Sequence, residues 1–159
     1  MRSVLLVIVW WFSGSCMAQL SGEQVAAIAA AAKGMAAPRT FNQYAIARRC
    51  AEILDLPLLV VVSSETCAPC RRLEAWRQTP VVRAELDGYV VCELDIAHAA
   101  IFDVEVVPTQ LIIYRGKVRV RQVGSAGIGR PEQYGLLLRR WRNALLPTPT
   151  NVTSKEVPK

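Results

Sequence analysis

The chain has 159 residues, 52% of them hydrophobic and 20% charged, which suits one ordinary folded domain with short extensions. Large barrels, multidomain assemblies and global disorder are excluded. The net charge is +6, but the 19 basic residues are interspersed with acids and form no dense block, so a solvated basic surface is expected and no nucleic-acid partner.

Residues 1–18 read as an export signal. Arg2 precedes an apolar run from Val4 to Phe12, too short for the ~20 residues of a spanning helix. Small residues follow, with Cys16 and Ala18 at the positions a signal peptidase reads. Lipidation of Cys16 and an uncleaved anchor are the alternatives. All three place the remainder outside the cytoplasm, periplasmic or secreted, where disulfides persist. Membrane contact is expected only through an uncleaved or lipidated N-terminus. Residues 19–39 are alanine-rich and read as a helical spacer. Residues 40–146 form the expected folded domain, and the Pro/Thr-rich residues 147–159 a disordered tail. Asn151-Val152-Thr153 in that tail is a glycosylation sequon, meaningful only in a eukaryotic secretory pathway.

Within the domain, apolar spacing predicts a helix from Phe41 to Leu54, closed by Pro57. Leu58 to Val62 is a continuous apolar, mostly β-branched run, as expected of a strand buried on both faces. Thr66-Cys67-Ala68-Pro69-Cys70 follows and opens a helix running to Gln78. Thr79-Pro80 breaks it and can start another turn, with Thr79 as N-cap and Pro80 first. After the Asp87-Gly88 turn come a strand from Tyr89 to Ile96 and a short helical turn from Ala99 to Asp103. Gln110 to Tyr114 and Lys117 to Val123 pair as a hairpin around Arg115-Gly116. Gly124 to Gly129 is a loop. Pro131 opens a last helix whose stripe of Tyr134, Leu137, Leu138, Trp141 and Leu145 faces a core. The order predicts an α/β fold, a mixed central sheet flanked by helices on both faces.

Cys67 and Cys70 carry the sharpest chemical signal. They stand between a buried strand and a helix, where unpaired N–H groups and the helix dipole favour thiolate over thiol. Cys67 is therefore the expected nucleophile, and Cys70, one turn on, closes a disulfide or resolves a mixed one. The alternatives are half of a zinc site and an inert structural disulfide. Zinc needs two further ligands, and Cys50, Cys92 and His98 supply no such spacing. His98 is expected to be exposed, with no special role.

With Cys67-Ala68-Pro69-Cys70 after the strand, Val107-Pro108-Thr109 further on, and Gly124 after the last strand, residues ~40–145 resemble the thioredoxin superfamily. They look closest to exported proteins similar to the soluble thioredoxin-like domain of membrane disulfide reductases. The resemblance implies that Cys67 attacks, Cys70 resolves, Pro108 is cis and faces the disulfide, and Val107, Pro108 and Thr109 bind the substrate's extended chain. It implies a thiol–disulfide oxidoreductase needing no cofactor beyond the Cys67-Cys70 disulfide, acting on protein thiols or disulfides or on another redox protein. A non-catalytic binding module with a structural disulfide is the alternative.

Three residues depart from the family. Thr66 stands where a Trp is usual, Val61 where a buried Asp is usual, and Glu93 where a buried Lys is usual. Strand alternation puts Tyr89, Val91, Glu93 and Asp95 on one face. Glu93 is thus the candidate proton relay for Cys70, against a simpler role as a rim carboxylate paired with an arginine. Cys92 faces the other way, towards Cys50 on the first helix. The two are expected as buried free thiols, with a second disulfide as the alternative.

Overall fold

A computed structural model describes residues 39–146 continuously, together with residues 27, 30, 31 and 34. The signal region with Cys16, most of the spacer, and the tail with Asn151 lie outside the described residues. The elements are β1 (Arg39–Phe41), α1 (Tyr44–Leu54), β2 (Leu58–Ser63), α2 (Ala68–Arg77), α3 (Pro80–Leu86), β3 (Val90–Asp95), β4 (Thr109–Tyr114), β5 (Lys117–Val123) and α4 (Pro131–Leu145). Two single 3₁₀ turns, Ile96–His98 and Ala100–Phe102, link β3 to β4.

The five strands form one sheet in the order β1-β3-β2-β4-β5. β1, β3 and β2 run parallel, and β4 and β5 join antiparallel. β2 is central, and its residues from Leu58 to Val62 are all buried, as its unbroken apolar run requires. The α/β expectation with helices on both faces therefore holds.

Side-chain alternation splits the core in two. Val60, Val62, Val90, Cys92, Leu111 and Ile113 face α1, where Ala47, Cys50 and Ala51 meet them. Leu59, Val61, Val91 and Ile112 face Leu73 of α2, Val82 and Leu86 of α3, and Tyr134, Leu138 and Trp141 of α4. The predicted stripe on the last helix is thus core-facing. The turn at Arg115-Gly116 has positive φ at both residues, 50° and 71°, the geometry that matches the twist of a hairpin. β5 is an edge strand whose Lys117, Arg119 and Arg121 are exposed.

Two local details differ from expectation. β1 was not expected: its three residues pair with Val90, Val91 and Cys92, and the first helix starts at Tyr44 instead of Phe41. Thr79 occupies the N-cap position of α3, but its hydroxyl makes no cap and donates back to the Trp76 carbonyl at 2.6 Å. That bond ties the end of α2 to the start of α3.

Candidate active site

Cys67 is the N-cap of α2, with Pro69 in the helix's first turn, where a missing N–H costs nothing. The two cysteines are joined as a disulfide with a Cα–Cα distance of 5.2 Å. The Cys70 amide donates to Cys67 Sγ at 3.2 Å. The sulfur thus occupies the place a Ser or Asp oxygen takes at other helix starts. Once the bond is reduced, that amide and the dipole stabilise a thiolate on Cys67. Cys67 is half-buried and Cys70 buried, so the first is open to attack and the second is shielded.

The approach to the site is fixed by backbone bonds. The Cys67 amide donates to the Ser64 carbonyl at 3.1 Å, and the Arg71 guanidinium donates to the Glu65 carbonyl at 2.8 Å. Across from the disulfide lies the loop before β4, where the Val107-Pro108 peptide bond is cis. Thr109 donates its hydroxyl to the Val106 carbonyl at 2.6 Å, and the Gly124 amide donates to the Pro108 carbonyl at 2.7 Å. Gly124 has a φ of +72°, a backbone conformation that favours glycine.

Cys70 and Pro108 line the same cleft, of about 280 Å³, with Glu93 and Arg77 also in its wall. The structure therefore brings together Cys67, Cys70, Pro108 and Glu93 from three separate chain segments. Val107 is half-buried and Thr109 buried. Val61 lies in register with Glu93 on one side and Gln110 on the other, so all three point to the α2–α4 face. An apolar side chain thus sits in the middle of the row, with a polar one to either side.

Glu93 stands as the alternative expectation had it, a partly exposed carboxylate paired with an arginine, but the sequence singled out neither which arginine nor the partner of Gln110. Arg77 ends α2 buried, and its Nη2 meets Glu93 Oε1 at 3.0 Å. The hydroxyl of Tyr134 donates to Gln110 Oε1 at 2.5 Å inside the core. Burial pushes the Tyr134 phenol up to about 12. One signal for Arg77 was in the sequence: it follows Cys70 and Leu73 on one helical face.

Cys50 and Cys92 are free and buried, as expected. Burial pushes the Cys92 thiol up to about 12 and raises that of Cys50. Neither is poised to react. His98 is exposed in the first 3₁₀ turn. Among the described residues no group of three His, Cys, Asp or Glu side chains could hold a metal ion, and no helix is long and apolar enough to cross a membrane.

No protein-family model and no curated relative matches the chain. Solved structures do. A thioredoxin from Thermus thermophilus superposes with a TM-score of 0.54 at 23% identity, over 65% of this chain and 85% of that one. A thioredoxin from Fasciola hepatica gives a TM-score of 0.47 at 20% identity, over 68% and 99%. A chain from a study of thiol resolution in yeast mitochondrial 1-Cys peroxiredoxin gives 0.49 at 14% identity, over 69% and 96%. The Thermus thermophilus match carries the fold. The chain has a thioredoxin-like fold, with a Cys-x-x-Cys disulfide at the start of its second helix, an arrangement consistent with a thiol–disulfide function.

Proposed function

We propose that the protein is an exported thiol–disulfide oxidoreductase acting on protein substrates or on another redox protein. The observation that carries this reading is the pairing of a half-buried Cys67 with a buried Cys70 at a helix N-terminus, opposite Pro108 across one cleft. In the reducing direction, the Cys67 thiolate attacks a substrate disulfide, forming one mixed S–S bond and releasing one substrate thiolate. The Cys70 thiol gives up its proton and attacks Cys67. The mixed bond breaks, the Cys67–Cys70 bond forms, and the second substrate thiolate leaves and is protonated. The substrate gains two electrons and the dithiol loses them. The oxidising direction is the same sequence reversed.

Glu93, in the cleft wall with Cys70, is the base we assign to the Cys70 proton. Beside the cleft, the backbone of Val107 is where an extended substrate chain pairs, with Pro108 and Thr109, already tied to Gly124 and into β4, shaping that edge. Arg2 and the apolar run behind it are the grounds for export.

A binding module with a structural disulfide is favoured by one observation: the residue buried beneath the disulfide is Val61, which moves no proton. Insulin reduction by a small dithiol separates the two readings. The parent protein is expected to accelerate it, Cys67→Ala to abolish the acceleration, and Cys70→Ala to accumulate a mixed disulfide through Cys67. A parent protein that gives no acceleration, and whose disulfide survives the dithiol, overturns the oxidoreductase reading.

A further inference from the structure

Arginine is an unexpected residue on the buried face of a short helix. On α2 that face consists of Cys70, Leu73 and Arg77, spaced as one stripe. The Arg77 side chain is only 8% exposed, while that of its partner Glu93 is 43% exposed. The cation is inside and the anion is at the edge. Nε and Nη1 of Arg77 are buried with no acceptor among the described residues. A buried charge with unsatisfied donors is a cost to folding, and an ion pair of this kind is often no more stabilising than an apolar side chain of the same shape. Fold stability is therefore a poor explanation for it.

Its placement offers another. The Arg77–Glu93 pair borders two clefts at once. One is the cleft that also holds Cys70 and Pro108, and the other, of about 230 Å³, lies between Thr40, Arg83 and Leu86. The pair is the partition between them. Arg77 meets Oε1 of Glu93 in the one ion pair that Glu93 makes among the described residues. Without the guanidinium, the carboxylate is free to swing towards either cleft or out to water.

We infer that Arg77 is a positioning residue that holds the Glu93 carboxylate in the wall of the Cys70 cleft during thiol–disulfide exchange. The inference rests on the oxidoreductase reading and extends it to a residue that acts through Glu93. It predicts that Arg77 and Glu93 act as one unit, so that removing either removes the contribution of both.

A double-mutant cycle on the full chain tests this. Exchange rates are measured for the parent, Arg77→Met, Glu93→Gln and the double variant, with denaturant unfolding of each. Both single variants are expected to lose about a hundredfold or more in rate, the lower end of what a positioned base contributes. The double variant should be no slower than either, and Arg77→Lys, which keeps the charge on a flexible stem, should recover part of the loss. Stability of Arg77→Met should equal or exceed that of the parent. An Arg77→Met variant as fast as the parent overturns the inference, as does an equal further loss on adding it to Glu93→Gln. A parent protein with no Cys67-dependent exchange overturns the functional reading and the inference together. If Arg77→Met fails to fold, Arg77→Gln takes its place in the cycle, and an Arg77→Gln variant as fast as the parent overturns the inference.

Discussion

The two faces of the sheet bury comparable apolar sets but treat charge differently. The face under α1 is closed with aliphatic side chains, two thiols and the Tyr44–Phe102 ring pair, packed edge to face at 4.9 Å. The opposite face admits Arg77, Glu85 and Gln110, all buried, beside two tyrosines. The difference follows from what each face supports. α1 shares the cover of its face with Ala99 and Phe102 from the turns after β3, and no charged side chain is buried there. The other face is roofed by three helices that must be tied to one another, and one of them carries the cysteines. Glu85 on α3 is held by Arg139 at 2.5 Å and Arg142 at 3.2 Å on α4. Tyr89 donates to the Leu138 carbonyl at 2.6 Å. Polar bonds there fix helix-to-helix register, where apolar packing alone is less directional.

The comparison can be broken from either side. The largest effect is expected on the apolar face. Leu111→Ala, at a fully buried position, should destabilise by about 3 kcal/mol, read from urea unfolding, because the lost methyl groups leave a cavity among β-branched neighbours. A loss below about 1 kcal/mol would mean that this face is loosely packed and the contrast is wrong. Glu85→Ala comes next, at about 2 kcal/mol, since Arg142 stays partly buried without its carboxylate while the more exposed Arg139 finds water. If that variant is as stable as the parent, the polar ties do not hold α3 to α4.

A third test is a pH dependence, carried by buried groups on both faces. Burial pushes the Cys92 thiol up from its ordinary 9.0 to about 12. Over that interval the native state keeps a proton that the unfolded chain loses, so its contribution is full below about pH 9 and falls as pH rises towards 12. Tyr134 adds to the same trend between 10.0 and about 12. Unfolding followed between pH 8 and 11 should therefore show stability falling with pH, less steeply in Cys92→Ala. An identical slope in the two proteins would show that Cys92 is solvated.

Much of this architecture was legible in the sequence, for reasons that can be named. The unbroken run from Leu58 to Val62 marks a central strand because only a strand covered on both faces tolerates it. Cys67 to Cys70 marks the site because the chemistry needs a strand-to-helix turn there. β1 was illegible: three residues, Arg39 to Phe41, are too few to show a period, and they are a strand only because Val90 to Cys92 lie alongside. The burial of Arg77 was illegible for a different reason, although its place on the helical face of Cys70 and Leu73 was not. An arginine is normally solvated, and its burial depends on Glu93 arriving from another strand. The bond between Tyr134 and Gln110 spans 24 positions and leaves no local trace. The site's cysteines, Pro108 and Glu93 were thus readable, and Arg77 and the Tyr134–Gln110 bond behind them were not, because those are set by tertiary pairing.

The cations of β5 have a consequence beyond net charge. An edge strand offers unpaired amides and carbonyls to any similar strand, and this sheet is rich in valine and isoleucine, the composition from which fibrils grow. Lys117, Arg119 and Arg121 sit along that edge. Two copies approaching edge to edge would set three cations against three, at the spacing where like charges repel most. The other edge, β1, is only three residues long and begins with Arg39. Repulsion at one edge and a short strand at the other both work against edge-to-edge pairing of this sheet.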